Sequence, residues 1–110
     1  NLEKRKQILS MISLAKRAGK VVFGFDAVCE ELSKKQWNTV FVASDLSEKT
    51  NKEIQRECKK HFFMHVTLPL SMDDLSVISH KRVGVLCVTN QSFAIKIKTL
   101  CEEYFKEEMR

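Results

Sequence analysis

The sequence predicts an α/β protein, a small sheet with helices on both faces, and three observations carry that reading. Helix-period and strand-like segments alternate along the whole chain, which is the pattern of an α/β/α sandwich with right-handed crossovers wherever neighbouring strands run parallel. The composition, 44% apolar and 30% charged, is that of an ordinary globular protein. Its 110 residues suffice for one hydrophobic core and not for two, so residues 1–110 read as a single domain.

From about Leu2 to Ala18, the apolar positions Ile8, Leu9, Ile12, Ala15 and Ala18 recur at helical spacing between lysines and arginines, which predicts a first helix. Gly19 closes it, because glycine enters the left-handed conformation that ends helices without a steric penalty. Val21-Val22-Phe23 is too short for anything but a strand, and Gly24 breaks it. A second helix is expected from about Gly24 to Lys35, with Phe25, Val28, Cys29 and Leu32 inward.

Thr39-Val40-Phe41-Val42-Ala43 is the β-branched and aromatic run of a strand covered on both faces. Ser47 to Thr50 make a polar turn rich in capping residues before a third helix, Asn51 to His61, with Ile54 and Cys58 inward and Phe62 placed to close the same face. The next strand, Phe63 to Leu68, is stopped by Pro69, which has no N–H to donate to a ladder. Met72 to Val77 predict a short helix, and Val83 to Thr89 is the most apolar strand, expected at the centre of the sheet. Asn90 caps a last helix to about Phe105, with Phe93, Ile97, Leu100 and Tyr104 along one stripe and Ala94 and Cys101 beside it.

Nineteen lysines and arginines against fourteen acidic residues leave a formal charge of +5, which favours polyanionic partners without singling one out. The four cysteines include no Cys-x-x-Cys pair and fall on faces expected to be buried, so they read as reduced core thiols of a cytoplasmic protein. No cationic start precedes an apolar signal core, and no apolar run is long enough to cross a bilayer, so no membrane partner is expected.

Ala15 to Asp26 is the most informative stretch: a helix end, Gly19, a short apolar run, Gly24, and a second helix start. Lys16, Arg17 and Lys20 flank that start. A helix N-terminus presents unpaired N–H groups and partial positive charge, so the corner suits a phosphate or a polar base edge. The plainer alternative is a solvated helix end, since cations also offset the dipole at a helix C-terminus. Phe25 either stacks on an unpaired base or is buried against the first helix.

Other clusters point to structure. Cys58, His61 and His65 lie close in sequence, but no fourth ligand accompanies them and His65 belongs to a different element, so no metal and no cofactor is expected. Asp73-Asp74, beside a helix start, reads as a cap and dipole partner, and His80-Lys81-Arg82 as either basic surface or polar turn. Glu102-Glu103 and Glu107-Glu108 fit a solvated helix face. No nucleophile and base pairing, Walker loop or dinucleotide glycine pattern can be assembled, so an enzyme is not expected.

Leu14 to Lys20, Gly24, Val40 to Asp45, Val83 to Thr89 and Gln91-Ser92-Phe93-Ala94 together resemble a small bacterial member of the ribosomal protein L7Ae family, with its L30e and kink-turn-binding relatives. The resemblance implies an about four-stranded mixed sheet. It also implies a monomeric domain that binds structured RNA, kink-turn or ribosomal, as part of a ribonucleoprotein.

By that resemblance Lys16, Arg17, Lys20, Gly24, Phe25 and Asp26 are the RNA-binding residues. The family typically continues the helix start with asparagine, glutamate and, three residues later, lysine. Here those positions hold Asp26, Ala27 and Glu30, and the stretch Ser71 to Ser76 carries Asp73 and Asp74 where basic residues are common. Asp26 still accepts from guanine donors, whereas Ala27 offers no polar group. These departures motivate the alternative of a protein-interaction module that kept the fold and lost RNA binding.

Overall fold

The computed structural model describes residues 1–34 and 36–109, which form α1 (Leu2–Arg17), β1 (Val21–Phe23), α2 (Phe25–Ser33), β2 (Thr39–Val42), α3 (Glu48–His61), β3 (Met64–Thr67), α4 (Met72–Ser79), β4 (Val85–Val88) and α5 (Gln91–Glu108). Short polar side chains set most of the helix starts. Asn1, Ser47, Ser71 and Asn90 each accept from the N–H three residues on, at the beginnings of α1, α3, α4 and α5.

The four strands form one mixed sheet in the order β1-β4-β2-β3, with β2 and β3 parallel and β4 antiparallel to both of its neighbours. β4 is central, as its apolar sequence predicts, and every residue of β2 and β4 is buried. Val21, Val88, Thr39 and Met64 align in one row across the sheet. The register therefore defines two ends: Gly24, Ala43, Leu68 and Gly84 lie just beyond one, and Lys20, Thr89, Asn38 and Phe63 just beyond the other.

Side-chain alternation splits the core by face. Phe41, Leu86 and Val88 pack with Ile8 and Ile12 of α1, Leu75 and Ile78 of α4, and Ala94, Ile97 and Cys101 of α5. Val40, Val42, Val85 and Cys87 pack with Val28 and Leu32 of α2 and Ile54 and Cys58 of α3. The result is the expected α/β/α sandwich. α1 and α5 run antiparallel, tied at their outer ends by the Asn1 side-chain amide on Glu107 at 2.5 Å and Lys4 on Glu103 at 3.2 Å.

Several expectations need correction. Phe62 does not close the inner face of α3: it is the left-handed cap at φ +63° and is 93% exposed, because that turn swings its side chain away and leaves Phe63 to pack. α3 begins at Glu48 rather than Asn51 because Ser47 takes the cap. α4 runs on to Ser79 and α5 to Glu108, each past its expected end. Ala18 is exposed at the C-cap of α1, and Cys29 is only half-buried. On α5 the buried stripe is Ala94, Ile97 and Cys101, with Phe93, Leu100 and Tyr104 at its margins. Lys35, the expected end of the second helix, lies outside the described residues.

Candidate functional site

β1 hands the chain to α2 through Gly24, whose φ of +102° and ψ of 147° are open to little but glycine. Nothing stands within 4 Å of where a Cβ would project, so the backbone conformation, and not space, demands glycine. Its N–H donates to the Val85 carbonyl at 2.8 Å, and its own carbonyl accepts from Val28 N–H at 2.9 Å. The N–H groups of Phe25, Asp26 and Ala27 then have no partner within the helix, and no side chain caps them. Among the five described helices α2 alone starts uncapped. Bare donors and the positive end of the helix dipole face outward together.

The anchoring bond to Val85 places this start beside a second junction. A Cβ on Gly84 would stand 2.6 Å from Leu46 Cδ1 and 3.1 Å from Met72 Sδ, so the β2–α3 loop and the start of α4 both crowd that glycine. Asp45 reinforces the same corner by accepting from Met72 N–H at 2.9 Å.

Lys16 reaches the corner from α1. Its ammonium donates to the Ile78 carbonyl at the end of α4 and stands 6.0 Å from the centre of the Phe23 ring, one residue before Gly24. Arg17 is exposed, and with Lys16, Val77, Ile78 and His80 it lines a hollow of about 340 Å³ between α1 and α4. His80, a left-handed cap at φ +63°, joins this group although 63 positions separate it from Arg17. Lys20 is exposed but lies at the other end of β1, about 13 Å from Gly24 for four extended residues. Its carbonyl is held by Thr89 N–H at 2.9 Å. Neither Arg17 nor Lys20 forms an ion pair among the described residues.

Phe25 is half-buried against the core between α2 and α3, where it lines a cleft of about 440 Å³ with Cys29, Glu53, Arg56 and Glu57. Asp26 is exposed in the first turn, with exposed Ala27 next to it and exposed Glu30 one turn on.

The two carboxylates of α4 are engaged in the fold. Asp74 closes a capping box, accepting from Ser71 N–H at 2.8 Å, and Arg5 donates to the same oxygen at 2.8 Å. The Ser71 N–H first, and the Ser71 hydroxyl and Arg5 guanidinium after it, hold the Asp74 carboxyl below the usual carboxylate range against the opposing effect of partial burial. Asp73 pairs with Arg82. The expected unfavourable charge before β4 is thus offset by Arg5 and Arg82, contacts that no local pattern announces.

A three-layer sandwich with one uncapped helix start, and a lysine reaching the aromatic ring just before it, is an α/β domain suited to an anionic ligand. The profile of the ribosomal protein L7Ae/L30e/S12e/Gadd45 family matches residues 6–103, and the chain belongs to that family. It is 28% identical over 98 residues to the RNA-binding protein YlxQ of Enterococcus faecium, an alignment covering 89% of this chain and 94% of that one. It is also 28% identical over 97 residues to the RNA-binding protein YlxQ of Bacillus subtilis (strain 168), covering 84% and 92% of the two chains.

Among solved structures, a protein of unknown function from Bacillus halodurans C superposes with a TM-score of 0.76 at 22% identity, covering 86% of this chain and 96% of that one. The Giardia lamblia 15.5kD RNA binding protein superposes at 0.69 and 11% identity, covering 94% and 88%. Both share the fold.

Proposed function

We propose that this chain is an RNA-binding domain that docks structured RNA, of the kink-turn or ribosomal kind, on the start of α2. The single observation that carries the reading is the uncapped Gly24 corner, with three N–H groups free of a helical partner and the Lys16 ammonium reaching the ring of adjacent Phe23. Gly24 lets a backbone approach closely, Asp26 accepts from guanine donors, and Lys16 and Arg17 neutralise phosphates. Lys20 meets a phosphate further along the same strand. Phe25 supports the corner with its buried edge and offers its open edge to a base. Membership of a family whose relatives are named RNA-binding proteins supports the reading, as do the neutralised carboxylates of α4. The domain acts as a cytoplasmic monomer without cofactor or catalytic step.

Filter binding of a kink-turn hairpin across a salt series tests it. Affinity is expected to fall with a log-log slope of about −0.7 to −0.9 per phosphate neutralised. A Lys16→Ala, Arg17→Ala double variant with unchanged affinity and slope would refute the docking mode.

A further inference from the structure

Phe62 occupies the position after α3 where helices prefer glycine. Phe63 N–H donates to Cys58 O at 2.9 Å and Phe62 N–H to Lys59 O, the paired bonds of a Schellman ending, and Phe62 takes φ +63°, ψ 37°. A bulky residue in that conformation is a true outlier, and here it gains no burial in return, since the ring is 93% exposed. Strain held at a site with no packing benefit points to a role for the side chain outside the core.

Its surroundings state what that role is. The parallel register sets Thr39 opposite Met64, so Trp37 and Phe62, each two residues upstream, share one end of the sheet. Trp37 is the only tryptophan and is 41% exposed. Lys59 and Lys60, in the last turn of α3, are exposed and make no ion pair among the described residues. Lys60, His61, Phe62 and Phe63 line a hollow of about 370 Å³. Near this end Glu31 pairs with Lys34 at 2.9 Å, and Glu57 stands 4.0 Å from the His61 imidazole. Lys20, through the aligned row of Val21 and Val88, belongs to the same end.

Exposed aromatic faces beside unpaired ammonium groups are the chemistry that holds unstacked bases and their phosphates. A second copy of this chain would bring the same lysines into opposition, which disfavours self-pairing. We infer that the end of the sheet bearing Trp37, Phe62, Lys59 and Lys60 is a second RNA-binding surface, one that takes a single-stranded segment by stacking. This rests on the RNA-binding reading of the chain but not on the Gly24 corner. Four strands span about 14 Å, so a strand passing Lys20 can reach it.

Trp37 is a built-in reporter. A twelve-nucleotide oligouridylate is titrated into the intact protein and into Phe62→Gly, Lys59→Glu with Lys60→Glu, and Lys16→Ala with Arg17→Ala variants, following Trp37 fluorescence. The unaltered protein and the Lys16, Arg17 variant are expected to show the same saturable quench. Phe62→Gly is expected to bind about 5- to 150-fold more weakly, the loss of one stacking contact, while its thermal midpoint holds or rises because glycine relieves the left-handed strain. The Lys59, Lys60 variant is expected to bind more weakly and with a shallower salt dependence.

No response of Trp37, or equal affinity for Phe62→Gly, overturns the inference. So does a Phe62-dependent dimer in sedimentation, or displacement of the oligonucleotide by no RNA but only by an acidic peptide. Kink-turn binding that survives any of these results leaves the Gly24 corner standing, and a loss confined to the Lys16, Arg17 variant separates the two surfaces.

Discussion

Arg5 and Ser71 meet on one oxygen: the Arg5 guanidinium and the Ser71 N–H each lie 2.8 Å from Asp74 Oδ2, so a residue of α1 closes the cap of α4. Because the folded-state pKa of Asp74 is depressed, its contribution to stability is complete above the ordinary carboxylate range near pH 4 and is lost as pH falls through the folded value. Asp74→Asn is expected to flatten the acid limb of stability against pH, measured by urea unfolding. Ser71→Ala is expected to cost about 1 kcal/mol at neutral pH.

Gly24→Ala isolates the backbone requirement. No atom obstructs the added methyl group, so the expected cost of about 1–3 kcal/mol comes from forcing a Cβ into the φ +102° region. Chemical denaturation measures it, and filter binding of a structured RNA is expected to weaken in parallel.

Lys16 and Arg17 are expected to separate stability from binding. Lys16→Ala removes the bond to the Ile78 carbonyl and is expected to destabilise by about 1–2 kcal/mol as well as weaken RNA binding. Arg17→Ala, from an exposed side chain, is expected to change stability by less than about 0.5 kcal/mol while weakening binding. Paired unfolding and binding titrations on the single variants decide it.

The thiols are expected to be slow to react. Burial pushes Cys87 and Cys101 up to about 12 and Cys58 up to about 11, and raises the half-buried Cys29 as well. A disulfide reagent at neutral pH is expected to modify Cys29 first and all four cysteines only on unfolding. Since these raised values favour the neutral thiol in the folded state, their contribution is full below the free-thiol value near 9.0 and is lost as pH climbs towards about 11 and 12. Stability is expected to decline through that alkaline window.

Most element types were legible because each rests on a local pattern. The periodic apolar residues of α1, the continuous run of β4 and the capping chemistry of Ser47 and Asn90 need no distant partner to be recognised. Gly19 was legible for the same reason, since a glycine that ends a helix takes the positive φ seen here, and Gly24 was legible as the break that opens α2. Phe62 was misread because an aromatic next to an amphipathic helix looks like core, and only the left-handed turn sends it outward. The reach of Lys16 to Ile78, the neutralisation of Asp73 and Asp74, and the nearness of His80 to Arg17 were not legible at all.

The amino-acid sequence by itself determined the alternation of helices and strands, the central place of β4 and the glycine-opened start of α2, because hydrophobic period, caps and glycine conformations act over a few neighbouring residues. Tertiary structure alone decided which charges are free. Side chains tens of positions apart meet only after the sheet is laid down, so it took the fold to join Arg5 to Asp74, to send Lys20 to the opposite end of β1 from Gly24, and to gather Trp37 and Phe62 at that same end.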